Sequence, residues 1–174
     1  MAPGLGPQAA PLLAGAVEQL ALDTSETVEA ARAKLQDELA DGTHCPVCGQ
    51  FAKVYKRKLN TTMVKALSLV YKAAAPTLNF VHGPTVLRGS GVFGGDLGKL
   101  AYFGLVEEES KVRPDGGRGG LWRPTAQGRA FLQGVTTVPT YVHVYDGRVL
   151  GFSGEPVDVA HVAPRFDYTE LMNS

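Results

Sequence analysis

The apolar positions of this chain fall into helical and strand-like periods that alternate from about residue 25 onward. Between Ser25 and Ala40, Val28, Ala31, Leu35 and Leu39 recur three or four apart, a narrow stripe that predicts a helix. Asp23, Thr24 and Ser25 are competent N-caps, and Glu26 and Glu29 suit the positive end of the dipole. Asp41-Gly42 ends it, with Gly42 able to take the left-handed position. Phe51-Ala52-Lys53-Val54-Tyr55 then alternates as a short strand. Met63, Val64, Leu67, Val70 and Tyr71 form a broad stripe, the face of a core helix capped by Asn60 or Thr61 and stopped by Pro76.

The remaining elements are shorter. Asn79–His82 reads as a strand, and Gly83–Leu87 as a brief helix with Pro84 at its first position. After the glycine-broken loop Gly89–Gly95, Asp96 is expected to cap a helix bearing Leu97, Leu100, Ala101 and Phe103 that stops at Gly104-Leu105. Glu107–Val112 leads into the turn Pro114–Gly120, and Leu121–Thr125 returns as a strand into a closing helix capped by Thr125. Tyr141–Tyr145 and Arg148–Phe152 flank Asp146-Gly147, a hairpin signal because a type I′ turn needs positive φ at both central residues. Phe166–Met172 suggests a last short helix. The expected layout is a disordered 1–22, a helical 23–42, a body over 43–134, and a hairpin and tail over 135–174 packed on that body.

The order of elements from Asn60 to Leu132, with Gly104-Leu105-Val106-Glu107 at a helix end and Thr125-Ala126-Gln127-Gly128-Arg129-Ala130-Phe131-Leu132 after the turn, resembles the winged-helix family. The resemblance covers residues 60–132 and implies a winged-helix-like domain. With the Cys45–Cys48 turn and the hairpin read from their own residues, the expected fold is α+β, a winged-helix-like domain with a CxxC zinc turn and an appended C-terminal β-hairpin. It further implies that the helix Asp96–Phe103 enters a DNA major groove and that Pro114–Gly120 touches backbone. Lys99, Arg113, Arg118 and Arg123 would then be groove or phosphate contacts. That helix carries Lys99 and Tyr102 but no Asn, Gln or Arg, and Glu107-Glu108-Glu109 stands at the foot of the wing. Winged helices also serve protein contacts, so a protein partner stays open. The chain as a whole resembles a bacteriophage protein type, on three segments: Cys45–Gln50, Lys53–Asn60 and Val138–Tyr145. That resemblance implies the layout and a host bacterial cytoplasm but carries no function of its own. Gene regulation is the expected role of a nucleic-acid-binding winged helix, and host takeover that of a protein-binding one.

Charge sharpens the picture. Net charge is zero, yet residues 1–42 hold seven acids against two bases, and 56–134 hold twelve bases against five acids. A basic middle between acidic ends suits a polyanion partner or a well-solvated face. Lys56-Arg57-Lys58 is its densest run, a candidate phosphate contact or a solvated edge. No apolar run reaches the roughly 18–20 residues that span a bilayer, and the first residues lack a basic region before their apolar patch, so neither a membrane nor an export signal is expected.

Cys45-Pro46-Val47-Cys48-Gly49 contains the chain's only two cysteines. Without an export signal, a metal or redox role outweighs a structural disulfide. Zinc takes four ligands, and thiolate and imidazole both serve. Of the four histidines, His82 at a strand end and His143 within the hairpin best aim a ring, so Cys45, Cys48, His82 and His143 are the expected structural zinc set. His143 facing solvent, His82 hydrogen-bonded at the wing base, and a redox dithiol remain open. No paired acid and base can be assembled, so an enzyme is not expected. The expected function is binding of DNA or RNA. The alternative is a module that binds or inhibits a host or phage protein, with the 25–40 helix as a candidate dimer contact.

Overall fold

A computed structural model describes residues 27–109 and 120–173. The expected disordered N-terminus, the candidate caps Asp23, Thr24 and Ser25, and the wing residues Arg113 and Arg118 lie outside them. The chain divides into two compact units between Val54 and Tyr55. The fold is mixed α+β with several small antiparallel sheets and a C-terminal hairpin.

In the first unit, helix α1 spans Val28–Glu38. The hydroxyl of Thr27 accepts from the Ala30 amide and caps it. Its narrow stripe buries Ala31, with Leu39 just beyond the end. The C-cap is Leu39, so Gly42 lies beyond the expected C′ position; it still takes the left-handed region at φ +94°, and its amide donates to the Glu38 carbonyl. Strands β1 (Thr43–His44) and β2 (Phe51–Ala52) then pair antiparallel around the cysteines. The expected single strand Phe51–Tyr55 is divided. The chain leaves the β1–β2 ladder after Ala52, and the Val54 amide donates to the Leu39 carbonyl instead. A new strand, β3 (Tyr55–Lys58), opens the second unit.

Helix α2 (Thr61–Ala74) is the axis of that unit. The Asn60 side chain accepts from the Met63 amide and caps it. Met63, Val64, Ala66, Leu67, Val70 and Tyr71 are buried on its broad face. Around it lie β4 (Val81–His82), α3 (Gly83–Val86), α4 (Gly95–Tyr102), β5 (Val106–Glu108), β6 (Leu121–Pro124) and α5 (Ala126–Leu132). β6 is central in a three-stranded sheet, antiparallel to β4 on one side and β5 on the other. Asp96 does not cap α4. The helix begins one residue earlier, at Gly95, and Asp96 sits buried in its first turn.

The junction of β6 and α5 is set by Thr125. Its hydroxyl donates to the Gly104 carbonyl and accepts from the Gly128 amide, while its own amide donates to the Leu105 carbonyl. This draws α5 down until Gly128 meets the Leu105 backbone, and a Cβ at 128 would stand 2.0 Å from the Leu105 oxygen. Phe131 and Leu132 are then buried against α2.

The second sheet has the order β3–β7–β8. β7 (Val138–Tyr145) and β8 (Arg148–Val157) join through Asp146 at φ 49° and Gly147 at φ 69°, the type I′ signature. The hairpin is longer than its expected arms and carries register shifts between Pro139 and Tyr141 and between His143 and Val144. Two short helices follow, the unexpected α6 (Val159–Val162) and α7 (Tyr168–Asn173). The Tyr71 and Tyr168 hydroxyls meet at 3.0 Å, and Gln133 donates to Tyr168. Either tyrosine hydroxyl can donate in the bond between them, which holds the Tyr71 hydroxyl above and the Tyr168 hydroxyl below the ordinary value. No helix among the described residues is long and apolar enough to cross a membrane.

Gly128→Ala should destabilise the protein by about 3 kcal/mol, because its methyl must displace backbone rather than a flexible side chain. Denaturant melts of the wild type and variant measure this, and a loss below 1 kcal/mol would refute the close approach.

Candidate functional site

The cysteine turn is closed by backbone. The Cys45 amide donates to the Gln50 carbonyl and the Gly49 amide donates back to the Cys45 carbonyl, both at 2.8 Å. Gly49 sits at φ +70°, which a side chain would resist. The amides of Cys48 and Val47 point at the Cys45 sulfur, and the Cys48 thiol adds a further contact. These hydrogen bonds hold the Cys45 thiol below its ordinary value. Both thiols are free, Cys45 half-buried and Cys48 exposed. A turn that favours thiolate on one sulfur and leaves the second accessible fits half of a tetrahedral zinc shell. His44 lies beside it, with its ring edge-on to Phe51 at 5.3 Å.

The structure brings Cys45 and Cys48 together in the first unit, and His82 and His143 both belong to the second. Among the described residues no group of three or more His, Cys, Asp or Glu side chains could hold a metal ion. The two histidines lie in different sheets and each has a near neighbour. His82 Nδ1 is 2.7 Å from the Thr85 hydroxyl, and His143 Nε2 is 2.7 Å from the Ser153 hydroxyl.

The expected nucleic-acid contacts separate into distinct situations. Lys99 donates to Asp96 at 2.8 Å, and that carboxylate is only 7% exposed. Withdrawing Lys99 toward a phosphate would strand a buried anion, which is strongly unfavourable. Arg123 pairs with Glu107 at 2.5 Å and lies over the Phe80 ring at 4.5 Å. Both partners of that ion pair are more than 40% exposed, so exchanging Glu107 for a phosphate would cost under about 1 kcal/mol. Lys56, Arg57 and Lys58 occupy β3, an edge strand in which every residue is exposed.

One face of this sheet was not singled out by sequence. Register places Lys56 opposite His143 and Lys58 opposite Tyr141. On β8, Gly151 stands opposite His143, Ser153 opposite Tyr141, and Arg148 opposite Tyr145. Directly paired residues share a face. Val142 and Val144 are buried on the opposite side, so Tyr141, His143 and Tyr145 form a row on the outer face. The signal was present in Tyr141-Val142-His143-Val144-Tyr145, whose alternation marks the outward positions.

A cleft of about 420 Å³ lies beside α2, lined by Thr61, Val64, Lys65, Ser68 and the segment Ala163–Phe166. Three of its polar side chains are engaged locally. Lys65 donates to the Ser90 carbonyl, Thr61 to the Val162 carbonyl and Ser68 to the Lys65 carbonyl. Comparison of the chain with protein-family models, with curated proteins and with solved structures found no match.

Alkylation of Cys45 by iodoacetamide, followed by peptide mass spectrometry across pH, should set in at lower pH than for free cysteine. A midpoint at or above that of free cysteine would remove the amide-to-sulfur contacts from the account.

Proposed function

We propose that the protein binds nucleic acid through a winged-helix-type body whose main phosphate contacts lie on β3. Two features support the winged-helix reading. The elements run α2, β4, α3, α4, β5, β6, and the first strand pairs with the last to make a small antiparallel sheet. The observation that carries the function is the strand Lys56-Arg57-Lys58, fully exposed on a sheet edge with no ion pair among the described residues. Three adjacent cations that the fold leaves unneutralised suit a phosphate backbone. Arg123 can exchange Glu107 for a phosphate at low cost, whereas Lys99 is held by Asp96. The zinc proposal rests on Cys45 and Cys48 as two ligands of a structural ion, with the other positions filled from outside the turn. A phage context rests on the sequence resemblance alone, and a regulatory role is proposed with the winged-helix reading.

A protein partner is the second reading. Val149, Leu150 and Phe152 on β8 are 41%, 57% and 50% exposed, an apolar strip that favours a protein surface.

Binding of a labelled oligonucleotide should weaken steeply with salt. Replacing Lys56, Arg57 and Lys58 together by Ala should lower the slope of log K against log salt by about 2 to 3. An unchanged slope would overturn the assignment to β3. Zinc bound by the purified protein should fall to background in Cys45→Ser and Cys48→Ser, read by elemental analysis. Retention of one zinc per chain in both variants would remove the turn from the metal site.

A further inference from the structure

We infer that the outer face of the β3–β7–β8 sheet is a binding site for single-stranded nucleic acid. Bases stack on Tyr141 and Tyr145, and Lys56, Lys58 and Arg148 take the phosphates. The inference rests on the nucleic-acid reading above and names the ligand class of that surface.

Position along β7 comes first. Tyr141, His143 and Tyr145 alternate on one face, so neighbouring rings in the row are about 6.8 Å apart along the strand. That row suits an extended strand with its bases splayed. The next strand is low. Gly151, opposite His143, has nothing within 4 Å of where its Cβ would stand, and the other partner on this face is Ser153. Gly154 serves the same end. A Cβ there would lie 2.9 Å from Tyr141 Cδ2, so its absence makes room for the ring, and its φ of +80° suits glycine. The tyrosines are half-buried, with His143 held between them by Ser153.

Charge decides the occupant. β3 and β7 contain no acid, while Lys56 and Lys58 stand directly across from the aromatic row. Arg148 is paired with Tyr145 at the turn, beside Asp146; Glu155 lies at the far end of β8. The Lys56 ammonium rests 4.1 Å from the centre of the Tyr141 ring. An exposed contact of that kind is weaker than a base–aromatic stack, so an arriving base can take the ring while the flexible lysine turns to the phosphate. A duplex cannot use the row, because its bases are already stacked and paired. Aromatic platforms flanked by cations suit single strands with little sequence preference.

The test is fluorescence anisotropy with labelled oligothymidine, alone and annealed to its complement, on the full chain. The single strand should bind at least about tenfold tighter than the duplex. Tyr141→Ala and Tyr145→Ala should each weaken it about tenfold without changing the salt slope, the effect of losing one stack. Tyr141→Phe should bind like the wild type. Photocrosslinking of the unmodified chain to a bromouridine strand should label the peptide carrying Tyr141 and Tyr145, which covers the case in which an alanine variant fails to fold. Equal or tighter duplex binding, tyrosine variants that bind like the wild type, or crosslinks elsewhere would overturn the stacking face and leave nucleic-acid binding through β3 standing. No binding of either oligonucleotide at low salt would overturn both and point to a protein partner.

Discussion

The second unit depends on one close approach, Gly128 against the carbonyl of Leu105. A helix cannot usually come so near another segment's backbone, because a Cβ intervenes. Here the missing Cβ lets α5 settle onto the end of α4, and Thr125 ties the joint with three hydrogen bonds. The consequences spread outward. Phe131 and Leu132 reach the face of α2, β6 is held between β4 and β5, and Trp122 is buried. The chain then emerges from α5 in position to begin the long hairpin.

Local features were legible before the structure. The broad stripe on α2, the Asn60 and Thr125 caps, the Gly42 stop and the Asp146-Gly147 turn all depend on residues within a few positions of one another. Features that depend on partner choice were not. Nothing in the sequence says that Lys99 is held by a buried Asp96, or that Arg123 faces Glu107 across a strand pair. Both had been expected to meet phosphate. The alternation through Phe51–Tyr55 reads as one strand, and only the capture of the Val54 amide by Leu39 shows why it breaks. The expected arm Arg148–Phe152 stops short, whereas β8 continues to Val157 past a register shift, with Pro156 paired to Pro139.

The candidate site was half legible for the same reason. Two cysteines at CxxC spacing announce a turn, and the turn forms. Histidine partners tens of residues away depend on which sheet each enters, and CxxC spacing carries no information about that; His82 lies in the β4–β6–β5 sheet and His143 in the β3–β7–β8 sheet. The aromatic row on β7 was visible as alternation. Its meaning came only with register, which set lysines across from it on one side and small residues on the other.

The two borders of the β3–β7–β8 sheet raise a different matter, self-association. A sheet border offers unpaired amides and carbonyls to any neighbouring chain, and natural proteins block this with charge or irregularity. β8 carries exposed apolar side chains, and register shifts interrupt its ladder. β3 has no such break, only consecutive cations that would face their own kind in a second copy. The residues assigned to phosphate therefore also keep the molecule from polymerising edge to edge. Their removal would expose an uncharged sheet border whether or not phosphate is their ligand.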